Sequence, residues 1–440
     1  MKAQITMFII IGLLIVIAFG IAIYVGASMR KGVQKEPSQQ RIEQLGVQPV
    51  FDYVVTCLTL ATNEGLALLG MQGGVLYKSQ GGVTPDYLPE DKNKFYVQSG
   101  DTKTQFDVVP PEGMVCQDVA NPATCSFFSA PPKYPFEGFP GPQLLFFGYY
   151  GESRLPPLYR GINPETGQPV QNSIQESLES FIAKRTIVCA DFKSFENRFT
   201  ISYGNAVAKL LFAENVSQFI GEQNVNVELD WPVDVSAQSG KTLLDKFAVK
   251  IPVRLATVYY TAKGIIDADV TDVSYKPNAT ETFTVSTVRL GDNSLVILRD
   301  SQSLVQGKPF EFWIARKNRI PALWFIDTSP LNDVEFHVSS GKNAEVKVVQ
   351  IDGENAQLEI LDPCQAPGVS NPFVIKLRAS DPDENDVTFS VHIPASSTNE
   401  IPDDAANNPF EITVFAKDGN IQQNWDSQAI PLRVVQCPVR

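Results

Sequence analysis

The sequence predicts an α+β chain in three parts: an apolar N-terminal segment, a mixed domain of helices and strands, and a C-terminal two-sheet β-sandwich. Three observations carry that expectation. Ile5 to Val25 hold no charged side chain in 21 positions. Apolar residues recur at helical spacing among strand-like runs between 46 and 316, and past Asn318 the pattern changes to strict apolar–polar alternation. With 440 residues, 43% hydrophobic and 19% charged, the chain can fill two or three cores, which excludes a disordered polymer. Its net charge of −13 argues against a general nucleic-acid surface.

The apolar run comes first. At 1.5 Å per residue it is about 30 Å long, the depth of a bilayer core. The apolar region of a cleaved signal peptide is shorter, roughly 7–15 residues. This one continues through Tyr24, an interfacial anchor, to Arg30 and Lys31. Residues 1–29 therefore read as a single-pass transmembrane helix and 30–45 as a polar juxtamembrane linker. Arg30, Lys31 and Lys35 favour the cytoplasm for the downstream side. Six cysteines, Asn-X-Ser/Thr sequons at Asn215 and Asn278, and a long β-rich body favour export. Large domains translocate largely regardless of nearby charge, so the expected placement is a cell-membrane glycoprotein with its body outside the cell.

The expected α+β domain covers residues 46–316. Pro49 suits a first helical turn, and Phe51, Val54, Val55, Leu58 and Ala61 follow at helical spacing as far as Leu69-Gly70. Ser173-Ile-Gln-Glu176 is a capping box that opens a second helix, with Ile174, Leu178, Phe181 and Ile182 on one face. A third helix is expected over Val253 to Ile266. Phe127 to Pro169 is rich in aromatics and holds nine prolines from Pro131 onward, which excludes helix and central strand. It reads as an ordered loop, and Phe127 to Tyr159 is a candidate contact surface. Strands are expected at Val225 to Leu229, Phe247 to Ile251, Phe283 to Leu290, Ser294 to Arg299 and Phe310 to Ala315, with a hairpin at Gly291-Asp-Asn293.

Residues 317–440 form the expected sandwich. Val334, Phe336 and Val338 alternate with polar residues, as do Phe373 to Ala379, Val387 to Ile393, Phe410 to Val414 and Ile430 to Val434. Most of the negative charge lies in this part.

Three segments carry resemblances. Met1-Lys-Ala-Gln-Ile-Thr-Met-Phe8 resembles the class III signal of archaeal pilin-like proteins, which implies a cut between Ala3 and Gln4. The position that carries Glu in those proteins is Phe8 here. Asn318 to Gln436 resembles immunoglobulin-like or cadherin-like modules of surface proteins, on Leu377-Arg-Ala-Ser-Asp-Pro-Asp-Glu-Asn-Asp-Val-Thr-Phe389 and Ala416-Lys-Asp-Gly419. The chain as a whole resembles membrane-anchored surface proteins of DPANN-type (small-genome) archaea, with echoes at Cys57-Leu, Gln72-Gly-Gly, Asp230-Trp-Pro and Asn318-Arg-Ile-Pro. That family implies a cell-envelope location and no defined activity.

Chemistry-bearing groups are sparse. Cys57, Cys116, Cys125, Cys189, Cys364 and Cys437 allow fifteen pairings. No Cys-X-X-Cys occurs and neither His lies near a Cys in sequence, so a zinc site lacks support. The expected disulfides are Cys116–Cys125 across a short ring, Cys57–Cys189 between the first two helices, and Cys364–Cys437 stapling the sandwich. Six buried thiols are the alternative if the body is cytoplasmic. His337 and His392 fall on the polar phase of their strands and should face solvent. Gly240-Lys241-Thr242 has Val235 where a phosphate loop needs Gly, and reads as an ordinary turn. Asp381, Asp383 and Asp386, with Asn385, offer hard oxygens of the kind calcium takes, and Asp403-Asp404 would add to them if near. Asp-Pro and Asn-Asp are also plain turn formers.

The expected function is non-enzymatic: adhesion or structural interaction at the cell envelope, with a protein or carbohydrate partner and no cofactor beyond calcium. One alternative is a pilin-like filament subunit, a homo-oligomer processed before Gln4. The other is an extracellular hydrolase working through carboxylates.

Overall fold

The computed structural model describes residues 46–110, 115–116, 125–126, 151–162, 171–212 and 224–438, apart from 239, 273, 320, 325, 327, 332–333, 365–370, 395, 397, 407–408 and 419–424. The expected membrane span, the pilin-like signal, the 30–45 linker, Asn215 and most of the aromatic proline-rich stretch lie outside the described residues.

In chain order the helices are α1 (Gln48–Met71), α2 (Ile174–Cys189) and α3 (Leu255–Asp269). Strands of the first part are β1 (Tyr96–Ser99), β2 (Thr102–Val109), β3 (Val115–Cys116), β4 (Cys125–Ser126), β5 (Glu152–Ser153), β6 (Thr200–Tyr203), β7 (Val207–Phe212), β8 (Val225–Ala237), β9 (Gly240–Ile251), β10 (Phe283–Leu290), β11 (Asn293–Val305) and β12 (Lys308–Arg316). The last part has β13 (Ala322–Leu323), β14 (Glu335–Val338), β15 (Ala344–Gln350), β16 (Asn355–Leu361), β17 (Phe373–Ser380), β18 (Val387–His392), β19 (Glu400–Ile401), β20 (Pro409–Asp418) and β21 (Trp425–Gln436). The described fold is α+β and dominated by strands.

Helix α1 is the centre of the first core. It has the length and hydropathy to cross a bilayer, but half of its apolar window is buried inside the protein. The side chains of Val50, Val54, Cys57, Leu58, Leu66 and Leu69 recur at helical spacing and are all buried. They pack against α2, β9 and β12, which places α1 between two sheets. Two glycines permit this closeness. A Cβ on Gly65 would stand 2.9 Å from the Phe181 ring of α2, and one on Gly70 would run into the Glu311 carbonyl oxygen of β12. Helix α2 begins at Ser173, whose hydroxyl accepts the Glu176 N–H at 3.1 Å, the N-cap bond that the capping box predicts.

One flanking sheet runs β1-β2-β12-β11-β10, with β5 added on β2; β12 and β2 are parallel, and the other pairs antiparallel. Strand β1 comes back toward β10, so the sheet curls around Val97, Phe106, Val109, Leu295 and Ala315. The β10–β11 hairpin turns at Gly291-Asp292, where Gly291 has φ +72°. The other flanking sheet pairs β8 with β9 on one side and with β6 and β7 on the other. Strand β8 runs well past its expected end at Leu229, alternating buried Val225, Val227, Leu229, Trp231, Val233 and Val235 with outward polar residues. Pro232, which argues against a continuous strand, sits where the β8–β9 register shifts between Asp230 and Val233, so its missing N–H interrupts no ladder. Gly240-Lys241-Thr242 is neither a phosphate loop nor the turn expected: the three residues open strand β9, paired with Ala237, Ser236 and Val235 of β8.

The last part has two sheets, β13-β17-β16-β15-β19 and β14-β21-β20-β18. Both contribute to a second core, with Val346, Leu358 and Leu377 from the first and Phe336, Ile412, Val414, Ile430 and Leu432 from the other. Strands β15 and β16 were not expected, although Ala344-Val346 and Ala356-Leu358-Ile360 carry the alternating signal. Cys57–Cys189 and Cys364–Cys437 stand at disulfide distance, with Cα atoms 5.6 and 5.8 Å apart. The β3–β4 register sets Cys116 opposite Cys125.

Candidate functional site: a buried charged junction

The first core ends with Ile314 and the second begins at Leu323. The short connection between them carries two arginines, both buried, and that is unusual enough to locate the site. Arg316 is the last residue of β12 and Arg319 lies three residues on. Their partners come from two elements. Asp269 ends α3, where the helix turns its last polar residue inward; Asp383 and Glu384 belong to the turn between β17 and β18.

Arg319 is the hub. Its guanidinium reaches Asp383 through Nη2 at 2.8 Å and through Nε at 3.2 and 3.3 Å. The same Nη2 lies 3.2 and 3.3 Å from the two carboxylate oxygens of Asp269 and donates to the Pro382 carbonyl at 3.0 Å. Nη1 donates to the Asp269 carbonyl at 3.0 Å, and the Arg319 backbone N–H donates to Asp383 at 2.7 Å. Arg316 donates to Asp269 at 2.9 Å and has Glu384 at 3.6 Å. Exposure of the Arg316, Arg319, Asp269 and Asp383 side chains is 0, 2, 1 and 0%.

Four charges with almost no water must hold one another. Burial pushes Asp269 above the usual carboxylate range, against the pull of Arg319 and then Arg316. Burial works against the Arg319 charge as well, but Asp383 and Asp269 outweigh it and hold the guanidinium above its ordinary value. Around this centre runs a neutral fringe. The Asn385 amide donates to Asn318 at 2.7 Å and to the Asp292 carbonyl at 3.3 Å, and the Asn318 N–H donates to Asn293 at 3.0 Å. At the rim, exposed Lys276 pairs with Glu354 at 3.4 Å.

The turn itself is built by Asp381. One of its carboxylate oxygens accepts the N–H groups of Asp383 at 2.8 Å and Asn385 at 3.0 Å, the side-chain-to-backbone pattern that makes Asp a turn former. Its other oxygen has no hydrogen-bond partner. Burial raises the Asp381 carboxyl well above its ordinary value, and the charges of Asp383 and Asp418 add to the rise.

These positions divide the residues expected to hold calcium. Asp381 and Asp383 are buried in the junction, but Asp383 is already engaged by Arg319, and Asp386 is exposed beside Gly353. Asp403 and Asp404 lie near β19 and the end of β21, at the opposite end of the sheets, and add nothing to the turn. Among the described residues no group of three or more His, Cys, Asp or Glu is arranged to hold a metal ion. The residues present do not form the expected three-carboxylate set. Asp269 and Arg316 were not singled out in the sequence, and Arg319 stood there only as part of Asn318-Arg-Ile-Pro, with no role assigned. The signal for the two arginines is their spacing of three at a domain boundary, and Asp269 carries none.

His392 is exposed, as its strand phase implies. His337 departs from that expectation: Nδ1 lies 2.8 Å from buried Asp362, which also accepts the His337 backbone N–H at 3.0 Å. Asp362 in turn accepts the Cys364 N–H at 2.8 Å, so the pair braces the chain beside the Cys364–Cys437 cross-link. Asn278 lies exposed on the connection from α3 to β10, accessible to modification. Chemically, the junction neutralises and holds. A guanidinium transfers no proton at ordinary pH, and its carboxylates are closed to a substrate unless the joint opens. No protein family, no curated protein and no solved structure matches this chain.

Proposed function

We propose that the protein is a single-pass cell-surface protein that acts by adhesion or structural interaction at the cell envelope, without catalysis. The observation that carries the reading is the pair of cysteine couples at disulfide distance, one in each part of the chain. Cysteines placed to pair in both parts suit an oxidising exterior better than the cytosol. Exposed Asn278 in its sequon is consistent with the same compartment. The two C-terminal sheets are read as an immunoglobulin- or cadherin-like module. The turns at the junction face the first core, so the end bearing Cys364–Cys437 is the one turned away from it and offered to a protein or carbohydrate partner.

Protease added to intact cells should release most of the chain beyond Met29, and an antibody to residues 317–440 should label the surface diffusely. Complete protection from protease would overturn the reading, and labelled filaments would establish the pilin-like alternative in its place.

A further inference from the structure

We propose that Arg319, backed by Arg316, is an internal cation that locks the two cores into one rigid body, at the turn where the sequence pattern invites a metal ion. Clustered carboxylates need a cation, and here the chain supplies its own. The planar guanidinium is matched to the task, because its donors point in several directions at fixed angles and satisfy carboxylates on two different elements at once. Asp269 belongs to the first core and Asp383 to the second, and Arg319 lies 2.8 Å from one and 3.2 Å from the other. The Arg319 backbone N–H also bonds Asp383, so the connecting chain is itself fastened to the turn. Arg316 to Glu384, Asn385 to Asp292 and Lys276 to Glu354 cross the same boundary.

The consequence is mechanical. A joint held by a bound ion loosens when the ion is chelated or diluted, whereas a joint held by a buried arginine does neither. The inference concerns coupling and not total stability, since replacing a whole buried ion pair by apolar residues is often neutral. Removing one partner is different, because it strands the other charge in a place that water does not reach. Lysine at 319 would keep the charge but not the fork, and would reach one carboxylate at a time.

The test uses the full chain in detergent, with chelator or with added calcium, read by scanning calorimetry and by cleavage within residues 317–325 by chymotrypsin, a serine protease that chelator leaves active and that cuts after Leu323 and Trp324. The wild-type chain should melt in one transition in chelator, with no change on adding calcium. Arg319→Ala and Arg319→Lys should split the melt in two and raise cleavage at the connection on the order of a hundredfold, as cleavage follows the open population. Should the alanine variant fail to fold, Asp383→Asn keeps the shape while removing the charge, and should split the melt in the same way. Two wild-type transitions that calcium merges would overturn the proposal in favour of a metal joint. A single transition and unchanged cleavage in both Arg319→Lys and Asp383→Asn would overturn it altogether.

Discussion

Asp107 illustrates how much one side chain can set at the residue scale. It sits in β2 with no exposure, one oxygen accepting the Ala315 N–H at 3.3 Å and the other without a partner. Burial drives its carboxyl well above the usual range, and the Ala315 bond opposes this only in part. In the unfolded chain the same group titrates near 3.9. Above that pH the native state keeps a proton that the unfolded state has lost. Stability is therefore full below about pH 4 and falls by about 1.4 kcal/mol per pH unit until the native carboxyl also ionises. Asp107→Asn keeps an oxygen for Ala315 and cannot ionise. Its urea midpoint should fall less than the wild-type midpoint between about pH 5 and 8. Identical slopes for the two proteins would show that Asp107 is ionised in the fold.

At the scale of elements, the contact of α1 with β12 sets what each glycine tolerates. A methyl group on Gly70 has no room against the Glu311 carbonyl and the Phe310 ring. Gly70→Ala should cost about 1–3 kcal/mol or more, because α1 cannot back away while α2 and β9 hold its other sides. Gly264 provides the comparison. It lies within α3 with nothing within 4 Å of an added Cβ, so Gly264→Ala should gain about 0.5–1 kcal/mol by removing unfolded-chain freedom. Chemical denaturation of the two variants should move in opposite directions. Equal shifts would mean that helix propensity, and not the sheet contact, governs both positions.

For the whole molecule, the question is whether two cores behave as one. Each part of the chain has its own cysteine couple, closing sequence separations of 132 and 73 residues. Loss of either should remove about 2–5 kcal/mol, largely through greater freedom of the unfolded chain in the entropic account. If the arginine joint couples the cores, Cys57→Ser with Cys189→Ser and Cys364→Ser with Cys437→Ser should lower one and the same melting transition. Two transitions that shift separately would show the cores unfolding independently.

Sequence alone determined what neighbours in the chain can encode. The extents of α1 and β10 and the start of α2 were legible because periods of 3.6 and 2 are written in residues a few places apart, and Ser173 caps α2 through a bond to its own first turn. The alternating strands of residues 317–440 were legible for the same reason, while β8 was cut short because a proline outweighs local pattern until a bulge is known to receive it. The junction was not legible. Arg319 meets its partners across 50 and 64 residues, and Asp107 meets Ala315 across 208. Asp381-Pro-Asp383 has the composition of a solvent-facing turn, and only docking against α3 and β12 buries it. Local chemistry decides which element a residue joins. Which charges end up in contact, and whether an arginine or a metal ion neutralises them, is decided by chain segments that only the folded molecule brings together.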